Sequence, residues 1–169
     1  MPFSGLLEEE HMTPAVLSAR KAGIEFVMHE YTHDPSHASY GAEAAQKLGV
    51  SGERVFKTLV VQLDGGGFGV AVLPVDSRLS MKMMARALGV KGAEMAAAHD
   101  VERVTGYVLG GVSPLGQKKR LKLVLDSSAQ EFSTVFVSAG RRGLEIELAP
   151  ADLLRLTGGT LAAIIQGSG

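Results

Sequence analysis

The stretch Val55-Phe56-Lys57-Thr58-Leu59-Val60-Val61-Gln62-Leu63, then Asp64-Gly65-Gly66-Gly67, then Phe68-Gly69-Val70-Ala71-Val72-Leu73, decides the fold class. Two apolar, Val-rich runs joined by a Gly-rich tetrapeptide read as an antiparallel hairpin. Around it the signals alternate without a regular order. Thr13 and Pro14 open a helix that Gly23 closes, and Phe26-Val27-Met28 starts a short strand running to Tyr31. A helix from Ser39 or Tyr40 to Leu48 ends at Gly49, and Ser80 caps another through Leu88. Residues 121–125, 135–137, 144–148 and 161–165 read as strands, and residues 150–156 as a last short helix with Pro150 at its start. Strands and helices mixed without βαβ alternation predict an α+β fold, a curled mixed sheet with helices packed outside.

Composition narrows the function classes. The 169 residues suit one domain, expected over residues 12–169 with residues 1–11 as an N-terminal extension. Hydrophobic residues make up 46% and charged residues 21%, an ordinary globular balance. There is no Cys, which removes thiol nucleophiles and Cys-ligated metals from consideration. No Trp and only 5% aromatics speak against a stacking surface for single-stranded nucleic acid. A net charge of −1 disfavours indiscriminate binding to DNA or other polyanions, although local basic patches remain open. The uncharged stretches at residues 104–117 and 156–169 fall short of the roughly 18 apolar residues of a membrane span, and the N-terminus is acidic where a signal peptide is basic. A soluble, cytoplasmic protein without a membrane partner is the expectation.

Several local patterns invite chemistry. Asp64-Gly65-Gly66-Gly67-Phe68-Gly69 lacks the Gly-Lys-Ser/Thr of a phosphate loop and reads as the hairpin turn. Gly111-Val112-Ser113-Pro114-Leu115-Gly116 misplaces the second Gly of a nucleophile elbow, and Pro114 forces Ser113 toward extended backbone. His29, His33 and His37 are four apart, but Pro35 interrupts any helix that would align them for a metal, and no metal or cofactor is assigned. Lys57 is the most informative residue. In its apolar strand it is either a solvent-facing position of the alternation or a cation at a pocket rim, holding an anionic or carbonyl group. The segment 105–116 carries four Gly and a Pro, which lets backbone approach a ligand and aim N–H groups at an oxyanion. Lys118, Lys119, Arg120 and Lys122 follow it, either a solvated face or a phosphate contact. Glu145 and Glu147 share one strand face, where they are solvated, pair with Lys57, or accept from a substrate amine.

Phe56-Lys57-Thr58-Leu59, Thr105-Gly106-Tyr107, the run from Gly110 to Arg120, and Arg142-Gly143-Leu144-Glu145-Ile146-Glu147-Leu148 together resemble the YbaK/EbsC family. These are free-standing relatives of the editing domain inserted in bacterial prolyl-tRNA synthetase. The resemblance runs from Met12-Thr13-Pro14-Ala15 through the C-terminal strand and includes Ala129-Gln130-Glu131-Phe132 and Val137-Ser138. It implies a mixed β-barrel-like sheet surrounded by helices and an editing activity on mischarged tRNA, with removal of cysteine from cysteinyl-tRNA(Pro) and from cysteinyl-tRNA(Cys). The implied partners are the mischarged tRNA and, transiently, prolyl-tRNA synthetase. In that branch the cysteinyl thiol attacks its own ester, and the protein supplies positioning and electrostatics. Water-dependent removal of another amino acid such as alanine, and a non-catalytic module binding tRNA or the synthetase, are the alternatives. Lys57 matches the family's essential Lys, and Gly110 the first Gly of its G-x-x-x-P motif, here Gly110-Gly111-Val112-Ser113-Pro114. Tyr31, Thr58 and Ser138 match pocket positions, with Gly111, Ser113 and Pro114 in the substrate loop. Glu145 stands where close relatives usually carry Asp, and is implied to meet the substrate α-amine. Lys118, Lys119, Arg120 and Lys122 are the implied tRNA contacts.

Overall fold

The computed structural model describes residues 12–37 and 39–167, so the expected N-terminal extension lies outside the described residues. Capping chemistry sets the early elements. Helix α1 (Pro14–Ala22) starts on Thr13, whose side chain accepts the Val16 N–H at 3.2 Å, and stops at Gly23 with φ 68°. Strand β1 (Phe26–Glu30) and helix α2 (Tyr40–Leu48), capped by Ser39, follow. The hairpin forms as read, β2 (Phe56–Leu63) against β3 (Phe68–Pro74), in register from Phe56 opposite Pro74 to Gln62 opposite Phe68. Helix α3 (Met81–Leu88) sits on its Ser80 cap.

Two elements carry little sequence signal. Strand β4 (Ala93–Met95) adds three residues to the β2 edge at Val61–Leu63. Helix α4 (Ala98–Thr105) has no side-chain cap and is fixed instead by burying Val101 and Val104. Tertiary packing, not capping, decides it. Strand β5 (Lys122–Asp126) leads through a 3₁₀ turn, Ser127–Glu131, to β6 (Val135–Arg141), β7 (Leu144–Leu148) and helix α5 (Pro150–Thr157). The last strand differs from the expected 161–165: β8 is Thr160–Ala162. Buried Asp126 accepts the Ile164 N–H at 2.9 Å, and Ile165 bridges to Leu79, which turns this segment out of the ladder.

The architecture is α+β, and its curl comes from two sheets. One runs β1-β7-β6 and is antiparallel; the other runs β4-β2-β3-β5-β8, with β5 parallel to β3 and β8 parallel to β5. They meet at a bridge between Val55 and Phe136, backed by the Phe136 N–H donating to the Arg54 carbonyl at 3.1 Å, and do not close into a full barrel. Between the sheets lies the larger core, with Phe56, Val72, Leu125, Leu144, Ile146 and Leu148 buried against α1, α4 and α5. Each such side chain contributes roughly 1.5–3 kcal/mol by leaving water. The outer face of the five-stranded sheet carries a second core, where Val61, Ala71, Leu73 and Val124 pack under Met84 of α3.

Candidate active site

Strand β2 builds one wall. The Val75 N–H donates to the Val55 carbonyl and the Leu63 N–H to the Gly67 carbonyl, so the odd residues of β2 hold the β3 ladder. The even residues Phe56 and Thr58 aim their backbone groups at the opposite edge. There β4 and the Ala96 N–H, which donates to the Val60 carbonyl at 3.0 Å, cover only Val60–Leu63, and the other sheet bonds only at Arg54 and Val55, so Phe56–Leu59 borders an opening. The opening is a cavity of about 380 Å³ whose lining includes Tyr31, Tyr40, Lys57, Thr58, Leu109, Gly110, Ser138 and Glu145.

Six of the nine residues assigned from sequence to catalysis or substrate binding converge here: Tyr31, Lys57, Thr58, Gly110, Ser138 and Glu145. Gly111, Ser113 and Pro114 do not line it. A side chain on Gly111 would stand 2.8 Å from the Arg141 Cα, so this Gly permits the loop to press on the β6–β7 turn. Ser113 is buried, and its hydroxyl accepts the Leu115 N–H at 3.2 Å. Pro114 faces a separate shallow crevice bordered by Ser18, Lys119 and Arg120. These residues brace the Gly loop, together with the Tyr107 hydroxyl donating to the Leu115 carbonyl at 2.6 Å.

Lys57 is half-buried, and its Nζ donates to the Ser77 carbonyl at 2.6 Å. Burial lowers its pKa, with Asp76 pulling the other way and Arg78 adding to the lowering. Glu145 lies in register with Ser138 of β6 and His29 of β1, only 6% exposed, with no hydrogen-bond or ion-pair partner among the described residues. Burial alone pushes its carboxyl up to about 8, which favours the protonated form at neutral pH. Glu147, two residues on, shows the contrast. Burial raises its pKa, but bonds from Thr134 at 2.6 Å and His29 at 2.8 Å prevail, with Arg54 at 3.1 Å, and it titrates below the usual range. Neither Glu pairs with Lys57. Thr58 Oγ1 is buried without a hydrogen-bond partner among the described residues, whereas Ser138 Oγ accepts the Gly140 N–H at 3.1 Å. Burial, then Glu145, pushes the Tyr31 hydroxyl up to about 12 and keeps it protonated.

The Glu145 shift has a stability consequence. The folded carboxyl binds its proton more tightly than the unfolded one, so stability falls as pH rises from about 4.5 to about 8 and then levels off. Glu145→Gln removes this dependence: relative to wild type it is more stable by a few kcal/mol above pH ~8 and no different near pH ~4.5. Urea unfolding at pH 5 and pH 8.5 checks it; an equal effect at both pH values refutes the buried neutral carboxyl.

Sequence reading missed the mouth of the cavity. Arg142 stacks on the Tyr40 ring, 3.7 Å from its centroid, bonds the Tyr40 hydroxyl, and donates to the Leu109 carbonyl at 3.3 Å. Its other nitrogen lies 3.3 Å from His33 Nε2, and His33 Nδ1 lies 2.6 Å from Glu43. Glu43 is fully buried on α2. Burial opposes its ionisation, yet His33, the Asp34 N–H at 2.7 Å and Lys47 at 3.0 Å hold its carboxyl at about 2. An ionised Glu43 can only accept, so His33 donates through Nδ1 and offers Nε2 to Arg142. The visible signal was the Glu43–Lys47 helical spacing. The three evenly spaced His do not converge: His29 meets Glu147, His33 meets Glu43, and His37 meets Gln46. Among the described residues, no group of three or more His, Cys, Asp or Glu could hold a metal ion. No helix among them is long and apolar enough to cross a membrane. Lys118, Lys119, Arg120 and Lys122 are exposed and do not line this cavity.

Residues 34–156 match the family model described as the aminoacyl-tRNA editing domain. The chain belongs to that family. The editing-domain match spans Tyr40, Lys57, Thr58, Gly110, Ser138 and Glu145, so most of the cavity wall lies within it. Across 155 residues, 92% of this chain and 94% of the relative, it is 39% identical to an Enterococcus faecalis protein named as a candidate Cys-tRNA(Pro)/Cys-tRNA(Cys) deacylase, EbsC. It is also 29% identical over 147 residues, 84% of each chain, to the multifunctional Ser/Thr-tRNA deacylase ProXp-y of Escherichia coli K12. The editing-domain fold is shared with a solved structure, described as a candidate trans-editing enzyme for prolyl-tRNA synthetase, at TM-score 0.78 and 24% identity, covering 98% of this chain and 100% of that one.

Proposed function

We propose that this protein is a trans-editing deacylase that clears cysteinyl-tRNA(Pro), and cysteinyl-tRNA(Cys), in the cytoplasm where tRNA is charged. The observation that carries the reading is Glu145: a buried carboxyl with no hydrogen-bond or ion-pair partner among the described residues, facing the same cavity as Lys57. A substrate α-ammonium supplies the missing counter-charge and draws the carboxyl into its ionised form. Lys57 anchors the 3′-terminal adenosine or the ester carbonyl, and the Gly110 loop sets backbone against the ester. The chain holds no Cys, so any thiol in the reaction belongs to the substrate. The cysteinyl sulfur attacks its own ester carbonyl, the carbon–sulfur bond forms, and the bond to the ribose oxygen breaks. The thiol proton passes to that oxygen, leaving a cyclic thiolactone and free tRNA, and no cofactor takes part.

Selection of tRNA(Pro) then falls to transient association with prolyl-tRNA synthetase, since a chain of net charge −1 binds tRNA weakly. Lys118, Lys119, Arg120 and Lys122 are assigned to tRNA phosphates. A second reading, a seryl or threonyl substrate, is favoured by the unpartnered Thr58 hydroxyl and by similarity to a Ser/Thr-tRNA deacylase. Deacylation of tRNA(Pro) charged with cysteine, alanine, serine or threonine separates them. Cleavage confined to the cysteinyl ester is expected. Comparable cleavage of the alanyl ester makes water the nucleophile, comparable cleavage of the seryl or threonyl ester favours the second reading, and either overturns the cysteinyl assignment; no cleavage at all points to a binding module.

A further inference from the structure

Beyond the cavity lining, and joined to it through the Lys57–Ser77 contact, lies a basic surface that the sequence motifs did not mark. By strand alternation Lys57 lies on the same face of the five-stranded sheet as Val61, the face that α3 covers. The Ser77 carbonyl that holds the Lys57 ammonium is followed directly by Arg78, and α3 begins three residues later. Along α3, Met84 and Ala85 turn inward, while Lys82 and Arg86, one helical turn apart, are exposed. Past the Gly89 cap, Lys91 returns to the same place: Lys82, Arg86 and Lys91 surround a shallow depression of about 420 Å³. None of Arg78, Lys82, Arg86 and Lys91 has an ion-pair partner among the described residues. Three acids border this surface without forming an ion pair to it: Asp76 beside Lys57, Asp64 against Gly92 of the depression's lining, and exposed Glu94 directly after Ala93. Most cations elsewhere near the cavity are engaged: Arg142 on Tyr40, Arg54 on Glu147, Lys47 on Glu43.

We infer that Arg78, Lys82, Arg86 and Lys91 form a phosphate track that guides the acceptor stem of tRNA into the Lys57 cavity. The inference rests on the editing reading and deepens it, adding a surface distinct from Lys118–Lys119–Arg120. Helix α3 is about 12 Å long, enough to lay cations beside several successive phosphates of one strand. The depression between Lys82 and Lys91 seats a sugar-phosphate ridge, and the track carries no base readout, so it serves any tRNA.

The test is binding of uncharged tRNA(Pro) transcript, across a KCl series, to wild type, to Lys82→Ala/Arg86→Ala/Lys91→Ala, and to Lys118→Ala/Lys119→Ala/Arg120→Ala. All six positions are exposed, and circular dichroism verifies folding. The first triple variant is expected to lose on the order of 10- to 100-fold in affinity at low salt, with the salt slope reduced by about three. Wild-type affinity and slope in that variant overturn the proposal, as does lost affinity with an unchanged slope, which marks a packing defect. Because the tRNA is uncharged, binding through the track without ester cleavage refutes the editing reading alone, and cleavage with a dispensable track refutes the track alone.

Discussion

Lys57→Ala is expected to reduce deacylation on the order of 10²- to 10³-fold, the range for deleting one preorganised electrostatic contact to a transition state. The expectation follows from position. Lys57 is a cation on an otherwise apolar strand, half-buried and held by one backbone carbonyl, with its pKa already lowered by burial. A carbonyl is a weak partner for an ammonium, and a developing oxyanion or a ribose-phosphate end takes its place readily. Lys57→Arg does not rescue, because a planar guanidinium needs a wider seat than the Ser77 carbonyl gives. Single-turnover kinetics on cysteinyl-tRNA(Pro) assigns the role. A fall in the cleavage rate at saturating enzyme places Lys57 on the carbonyl, and weaker binding with the rate intact places it on the adenosine. A variant cleaving at the wild-type rate with unchanged affinity refutes any catalytic part for Lys57.

Gly110→Ala carries the second large effect. Gly110 has φ +91°, and its added Cβ would stand 2.8 Å from the Tyr40 ring and closer still to Arg142. Backbone strain for a non-Gly residue in that region costs about 1–3 kcal/mol, and the clash adds to it. The loop relieves both by lifting off the cavity mouth, so catalysis falls far more than stability. A drop in Tm of only a few degrees is expected for roughly 1 kcal/mol at this chain length, alongside activity reduced about 100-fold. Adding Arg142→Ala removes one clashing partner but neither the φ strain nor Tyr40, so the double variant recovers only part. Full activity in Gly110→Ala shows that the loop does not shape the reacting site.

What the sequence made legible was chemistry written in neighbouring residues. Thr13, Ser39 and Ser80 announce their helices because capping is local, and the hairpin announces itself through Asp64-Gly65-Gly66-Gly67. Lys57 stood out because an ammonium in an apolar strand demands an account, although alternation alone left solvent and pocket equally open. What stayed hidden was long-range. Arg142 lies 109 residues from His33 and 102 from Tyr40, and meets them only because β7 brings the β6–β7 turn over α2. The distinction between Glu145 and Glu147 was equally hidden. Both face the same side of β7, but Arg54, Thr134 and His29 reach only the second. Helix α4 was invisible for a related reason, having no cap to announce it and only tertiary burial to hold it.

The seam between the sheets has a consequence for how such a pocket changes its taste. Lys57 and Thr58 ride on one sheet, Ser138 and Glu145 on the other, and their separation belongs to neither strand. It is fixed where Arg54 crosses over to grip the Thr134 carbonyl at 2.9 Å and Glu147 at 3.1 Å, and lies 5.1 Å from the Phe136 ring centroid. None of Arg54, Thr134 and Phe136 lines the cavity. The width available to an aminoacyl group is therefore governed from outside its walls, like the jaw of a vice set by a screw that never touches the work.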